Sequence, residues 1–166
     1  ELIYMPMLLG GVFKATGNAS PAMIPAKGRY MFQDLDRFAK RYGVQLRFNP
    51  HFPINTLILM RAVTGMQMRQ PQRFAEFVDC LFKALWVEGR NLNDPQTVAA
   101  VLTENGFDPQ EIMALTNDES VKAALKENTE AAIKRGVFGA PSMFIGDQLF
   151  FGQDRLDFLE EALRQD

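Results

Sequence analysis

Twenty residues, Gly136 to Arg155, constrain this chain more than any other stretch. They read Gly-Val-Phe-Gly-Ala-Pro-Ser-Met-Phe-Ile-Gly-Asp-Gln-Leu-Phe-Phe-Gly-Gln-Asp-Arg. A glycine-flanked turn runs into Pro141. Two short apolar runs follow, Ser142–Ile145 and Gln148–Phe151, separated by Gly146 and Asp147. That spacing predicts a tight β-hairpin. Gly152, Gln153, Asp154 and Arg155 then open an amphipathic segment with Leu156, Leu159 and Leu163 on one face. Asp154 is predicted to cap it, since a carboxylate there can accept from free backbone N–H groups. The order is proline turn, strand, turn, strand, helix.

This order resembles the second half of a thioredoxin-like domain. In that fold the proline before the first hairpin strand is cis and lies beside the active site. The Ala140–Pro141 peptide is the candidate, because cis X–Pro bonds are used where a chain turns tightly. A cis bond would leave the Ala140 N–H and C=O facing a ligand. An ordinary trans proline at a strand start fits the same residues.

At 166 residues the chain is one domain, or one domain with an insertion. Its net charge of −2 and lack of a basic block give nucleic-acid binding no electrostatic support. No apolar run is long enough for a membrane helix. One cysteine, Cys80, excludes an internal disulfide or C-x-x-C motif within these residues, and one histidine, His51, excludes multi-His metal sites. With no signal-peptide pattern, the expectation is a cytoplasmic protein and no metal.

Residues 1–10 form an apolar, strand-like run that starts abruptly. A thioredoxin-like domain needs a β–α unit ahead of such a strand, so the N-terminal β–α unit is expected to be missing. Gly11 to Gly28 reads as a long loop, a length often tied to function. Asn18 in it is either a ligand-holding amide or a plain turn residue. Lys14 and Lys27 are either positive charges for an anionic substrate or solvated lysines. Met31, Leu35, Phe38, Ala39 and Tyr42 predict a helix over 30–42, with Gly43 as its C′ residue. Val44 to Phe48 alternates like a short strand. His51 has no carboxylate or nucleophile nearby in sequence and reads as structural.

From Thr56 to Gly136 helix follows helix. Pro71, Pro95 and Pro109 sit at first-turn positions, the last two behind Asp94 and Asp108, which suits capped helix starts. Phe74, Phe77, Val78, Leu81, Phe82 and Leu85 share one stripe, with Cys80 on another face as a packing residue. The expected fold class is α/β. A discontinuous thioredoxin-like domain spans 1–52 and 137–166, and an all-helical domain, 53–136, is inserted into it.

Several blocks together resemble the 2-hydroxychromene-2-carboxylate isomerase family, kin of the kappa-class glutathione transferases in the DsbA-like branch of the thioredoxin fold. They are residues 4–14, 16–18, 26–30, 34–35, 52–56, 84–89 and 137–156. The resemblance implies a homodimer that uses glutathione as cofactor and acts on a small aromatic carboxylate. The family's reaction takes 2-hydroxychromene-2-carboxylate to trans-o-hydroxybenzylidenepyruvate, within naphthalene-type catabolism. A glutathione thiolate adds to the unsaturated side chain, a bond rotates, and elimination follows. By the same resemblance the Ala140 backbone, beside Pro141, pairs with the cysteinyl part of glutathione. Gln153 and Asp154 hold its γ-glutamyl end, Asn18 belongs to the same site, and Lys27 meets the substrate carboxylate. The family's thiol-activating serine is expected upstream of residue 1. Two other classes share the fold: a kappa-like glutathione transferase that conjugates electrophiles, and a DsbA-like thiol–disulfide oxidoreductase. Residues 86–89 and the aromatic pair Phe150 and Phe151 favour the isomerase.

Overall fold

The computed structural model describes residues 2–164. Helices dominate: α1 (Leu9–Thr16), α2 (Pro25–Tyr42), α3 (Leu57–Arg69), α4 (Phe74–Trp86), α5 (Pro95–Glu104), α6 (Pro109–Asn117), α7 (Glu119–Lys134) and α8 (Leu156–Leu163). Single 3-10 turns occupy Pro21–Met23, Pro71–Arg73 and Gln153–Arg155. Among the described residues the only sheet is the antiparallel hairpin of β1 (Ser142–Ile145) and β2 (Gln148–Phe151). The chain divides into two compact units, residues 2–8 with 45–128 and residues 9–44 with 129–164.

The first unit is helical and contains α3 to α6. Phe77 and Met66 are fully buried, with Leu81, Leu102, Phe107 and Ile112 around them. Phe77 meets Phe107 edge-on at 5.1 Å and 88°, a favoured arrangement of ring quadrupoles. The Asp-Pro starts behave as their chemistry requires. Asp94 accepts from the Gln96 and Thr97 N–H groups, and Asp108 from that of Gln110. The buried face of α4 differs from the expected stripe. Phe82 is 60% exposed, whereas Cys80 sits in the core with Phe77, Leu81 and Ala84. Spacings of three and four residues from Phe77 reach Cys80, Leu81 and Ala84 and turn Phe82 outward.

Residues 44–48 form no strand. Val44, Leu46 and Phe48 are all at least 39% exposed, so their alternation has no buried face to serve. The segment is tied down instead by Arg47 N–H donating to Trp86 C=O at 2.6 Å. The fully buried Asn49 next to it is satisfied on both sides. Its amide donates to the Leu85 and Arg90 carbonyls, and its carbonyl accepts from His51 N–H. That network fixes the chain beside the end of α4.

The second unit contains α1, α2, the hairpin and α8. The loop expected over 11–28 is largely helical, and the strand expected over 1–10 is absent from residues 2–8. Glycines at 10 and 11 hide a helical period, but Val12 is fully buried and Gly11 lies against Thr129. A Cβ at 11 would stand 3.1 Å from the Thr129 methyl carbon, so the glycine permits a close approach. Helix α2 starts at Pro25, five residues before the expected Tyr30, because proline's fixed φ suits a first turn. It ends in a Schellman motif: Gly43 at φ 67°, its N–H on Lys40 C=O, and Val44 N–H on Ala39 C=O.

Candidate functional site

The site builds on the segment leaving α7. Gly136, at φ 89°, turns the chain, and the buried Val137 anchors it. Phe138 packs its ring on Phe151 at 4.5 Å between centroids. Gly139 is buried beneath the same ring; a Cβ there would stand 2.7 Å from Phe151 Cε2, so any side chain would displace the ring. The Gly139 carbonyl accepts from Ser142 Oγ at 2.8 Å. The Ala140–Pro141 peptide is cis, as is Phe52–Pro53, which the sequence did not single out. Among the described residues no hydrogen bond engages the Ala140 backbone, whereas the Pro141 carbonyl accepts from Gly152 N–H at 3.0 Å.

The hairpin pairs Ser142 with Phe151 and Ile145 with Gln148 around Gly146 and Asp147. Gly146 sits at φ 53°, the sign a two-residue hairpin turn needs at its first central position. Arg135 braces the tip, with its guanidinium 3.7 Å above the Phe144 ring centre and an N–H on the Gly146 carbonyl. Beyond β2, Gly152 has φ 103°, and a Cβ on it would stand 2.5 Å from Asp154 Oδ1. The positive φ is what demands glycine, since the Asp154 carboxylate ends a flexible side chain that can turn aside.

Asn18 is brought to this segment. Its Nδ2 donates to the Phe138 carbonyl at 2.8 Å and its Oδ1 accepts from Ala19 N–H, so the amide holds the chain's own backbone just before Ala140. Gln153 and Asp154 follow Gly152 directly and share its turn. The Gln153 side chain makes no hydrogen bond among the described residues, while the residue's backbone carbonyl accepts from the Tyr42 hydroxyl at 2.9 Å. The Asp154 carboxylate does not cap a helix, as the sequence suggested. A 3-10 turn at Gln153–Arg155 precedes α8, neither has a side-chain cap, and Asp154 Oδ2 accepts from Arg155 at 2.7 Å. The adjacent guanidinium is the stronger partner for the carboxylate. Lys27 lies exposed in the first turn of α2 without an ion pair among the described residues. No hydrogen bond or ion pair among the described residues joins it to Asn18 or the proline segment.

Ala140, Pro141, Asn18, Gln153 and Asp154 thus lie along one connected chain of hydrogen bonds and sequence neighbours, and Lys27 stands outside it. The residue that sequence reading missed is Tyr42. Its spacing marked it only as part of a helix, but its hydroxyl reaches a carbonyl 111 residues away. The arrangement offers a backbone N–H and C=O, an amide side chain and a carboxylate, groups suited to a peptide-like ligand carrying an ammonium. Cys80 belongs elsewhere. It is buried, its Sγ donates to the Phe77 carbonyl at 3.1 Å, and burial pushes its thiol up to about 11. His51 is exposed, with no ring hydrogen bond among the described residues.

Residues 1–164 match the model of the DSBA-like thioredoxin domain. Among curated proteins, a 2-hydroxychromene-2-carboxylate isomerase of Pseudomonas putida is 31% identical over 96% of this chain and 78% of its own length. Glutathione S-transferase kappa 1 of Rattus norvegicus is 29% identical over 98% of this chain and 77% of its own length. A solved structure of selenomethionine 2-hydroxychromene-2-carboxylate isomerase superposes with a TM-score of 0.82 at 30% identity, covering 96% of this chain and 77% of that one.

Proposed function

From the premise that the chain belongs to the DsbA-like thioredoxin family, we propose that it is a glutathione-dependent isomerase acting on 2-hydroxychromene-2-carboxylate or a similar small aromatic carboxylate. The observation that carries this reading is the exposed Ala140, whose backbone has no hydrogen bond among the described residues, linked through Pro141 and Gly152 to the turn that bears Gln153 and Asp154. Tripeptide chemistry fits these groups. Ala140 N–H and C=O match a cysteinyl backbone as one rung of a β-ladder. The Asp154 carboxylate matches the γ-glutamyl ammonium, a charge-assisted contact. The Gln153 amide, with no partner among the described residues, matches the α-carboxylate. Asn18 sets the Phe138 carbonyl and thereby the run into Ala140.

Bound glutathione would supply a thiolate, the form that attacks an unsaturated carbon. This chain's residues hold the tripeptide's backbone and its γ-glutamyl end. Lys27 is assigned to the substrate carboxylate, a role resting on its charge and on the family resemblance. The reading carries with it a cytoplasmic homodimer in aromatic catabolism, and mass measurement in solution checks the dimer.

A second reading is a kappa-like glutathione transferase, favoured by the rat kappa relative at nearly the same identity. Both readings use the same glutathione contacts. Thiol–disulfide exchange gains nothing from Cys80, whose buried thiol is pushed up to about 11. The deciding experiment runs two assays side by side: isomerisation with and without glutathione, and glutathione conjugation of 1-chloro-2,4-dinitrobenzene. Isomerisation that needs glutathione is expected. Conjugation alone supports the transferase, and isomerisation indifferent to glutathione sinks the proposal.

A further inference from the structure

We propose that Tyr42 is a positioning residue for the γ-glutamyl subsite, a role that rests on the glutathione reading above. Besides the Arg155 guanidinium on Asp154, hydrogen bonds to main-chain carbonyls hold the turn carrying Gln153 and Asp154. The Pro141 carbonyl accepts from Gly152 N–H, the Gly152 carbonyl from Arg155 N–H, and the Gln153 carbonyl from the Tyr42 hydroxyl. The first two are local to the hairpin and its exit. Among the described residues, only the third comes from another element.

The α2 end is built to hold that hydroxyl still. Tyr42 is the last helical residue, and the Schellman bonds of Gly43 and Val44 fix its backbone. Its ring rests on Phe38, one turn earlier, at 5.7 Å between centroids. Arg41 adds a second link from the same turn, an ion pair with Asp157 at 3.6 Å. The hydroxyl therefore fixes the height of Gln153 and aims the neighbouring side chains, though it touches no ligand itself. Tyr42 is 39% exposed and its hydrogen bond is an exposed one, so water can replace the lost donor at little cost to folding. Stability and ligand geometry are separable here for that reason.

The test is Tyr42→Phe, which keeps the ring, the Phe38 contact and the helix end and removes only the hydroxyl. Calorimetric titration uses two ligands: glutathione, and cysteinylglycine, which lacks the γ-glutamyl group. The expected result is a glutathione Kd raised roughly two- to tenfold, the scale of one neutral hydrogen bond. The cysteinylglycine Kd and the melting temperature should stay as in the unaltered protein. Comparing variant and ligand truncation in one cycle isolates the coupling between hydroxyl and γ-glutamyl group. An unchanged glutathione Kd, or equal weakening of both ligands, overturns the role of Tyr42 and leaves the glutathione reading standing. Failure of the unaltered protein to bind glutathione removes both.

Discussion

Burial decides the chemistry of Cys80. With its thiol pushed up to about 11, roughly one molecule in three thousand carries a thiolate at pH 7.5. Iodoacetamide should therefore label the folded protein negligibly at that pH and fully after denaturation; fast labelling of folded protein would contradict the packing role. Asp154 is the opposite case, an exposed carboxylate whose only side-chain partner among the described residues is the adjacent Arg155. Because it caps no helix, Asp154→Ala should change stability by less than about 0.5 kcal/mol, as surface substitutions do. Its loss should nevertheless weaken glutathione about ten- to a hundredfold, the cost of removing one side of a charge-assisted contact. Asp154→Asn should be as weak as Asp154→Ala, and affinity restored by asparagine would remove the charge from the account. Sequence alone marked Asp154 for both capping and binding. The preference of aspartate for helix starts pointed one way, and the intervening 3-10 turn decided otherwise.

At the level of elements, α3 and α6 pack closely at Gly65. A Cβ there would stand 2.8 Å from Leu115 Cβ, an atom next to the backbone that cannot swing aside. Two effects of Gly65→Ala oppose each other. Alanine gains about 1 kcal/mol of helix propensity, whereas overpacking a tight contact costs about 1–3 kcal/mol. The steric cost should win, lowering stability by up to about 2 kcal/mol in chemical denaturation; a variant as stable as the parent would show that the helices move apart freely. Legibility also varied by element. The β1–β2 hairpin and the Asp94 and Asp108 helix starts were readable because short-range turn and cap chemistry defines them. Helix α1 was not, because its glycines break the apolar period and Gly11's purpose is contact with distant Thr129. The alternation of residues 44–48 misled in the other direction, being exposed throughout.

Across the whole molecule, local sequence placed Asn18 and Ala140 in turns and Gln153 at a helix start, but their joining depends on bonds between distant residues. Asn18 meets Phe138 across 120 positions and Tyr42 meets Gln153 across 111. No periodicity reports such pairs, and Lys27 shows how a charge in a suitable place can stay outside the network. A ligand that uses this network should stabilise the folded chain by mass action. At a glutathione concentration 100 times Kd the gain is about 2.7 kcal/mol, or about 5–10 °C in melting temperature for a chain of this size. If the two units unfold in separate steps, the shift belongs to the step that melts residues 9–44 and 129–164, where every proposed glutathione contact lies. Asp154→Ala provides the internal check. With its Kd raised ten- to a hundredfold, the same glutathione concentration stabilises by only about 0.4–1.4 kcal/mol, leaving about 1–5 °C. Scanning calorimetry of both proteins, with and without glutathione, measures the two shifts together. A parent protein whose transition does not move would count against glutathione as the ligand, and a full shift in Asp154→Ala would move the γ-glutamyl end away from this turn.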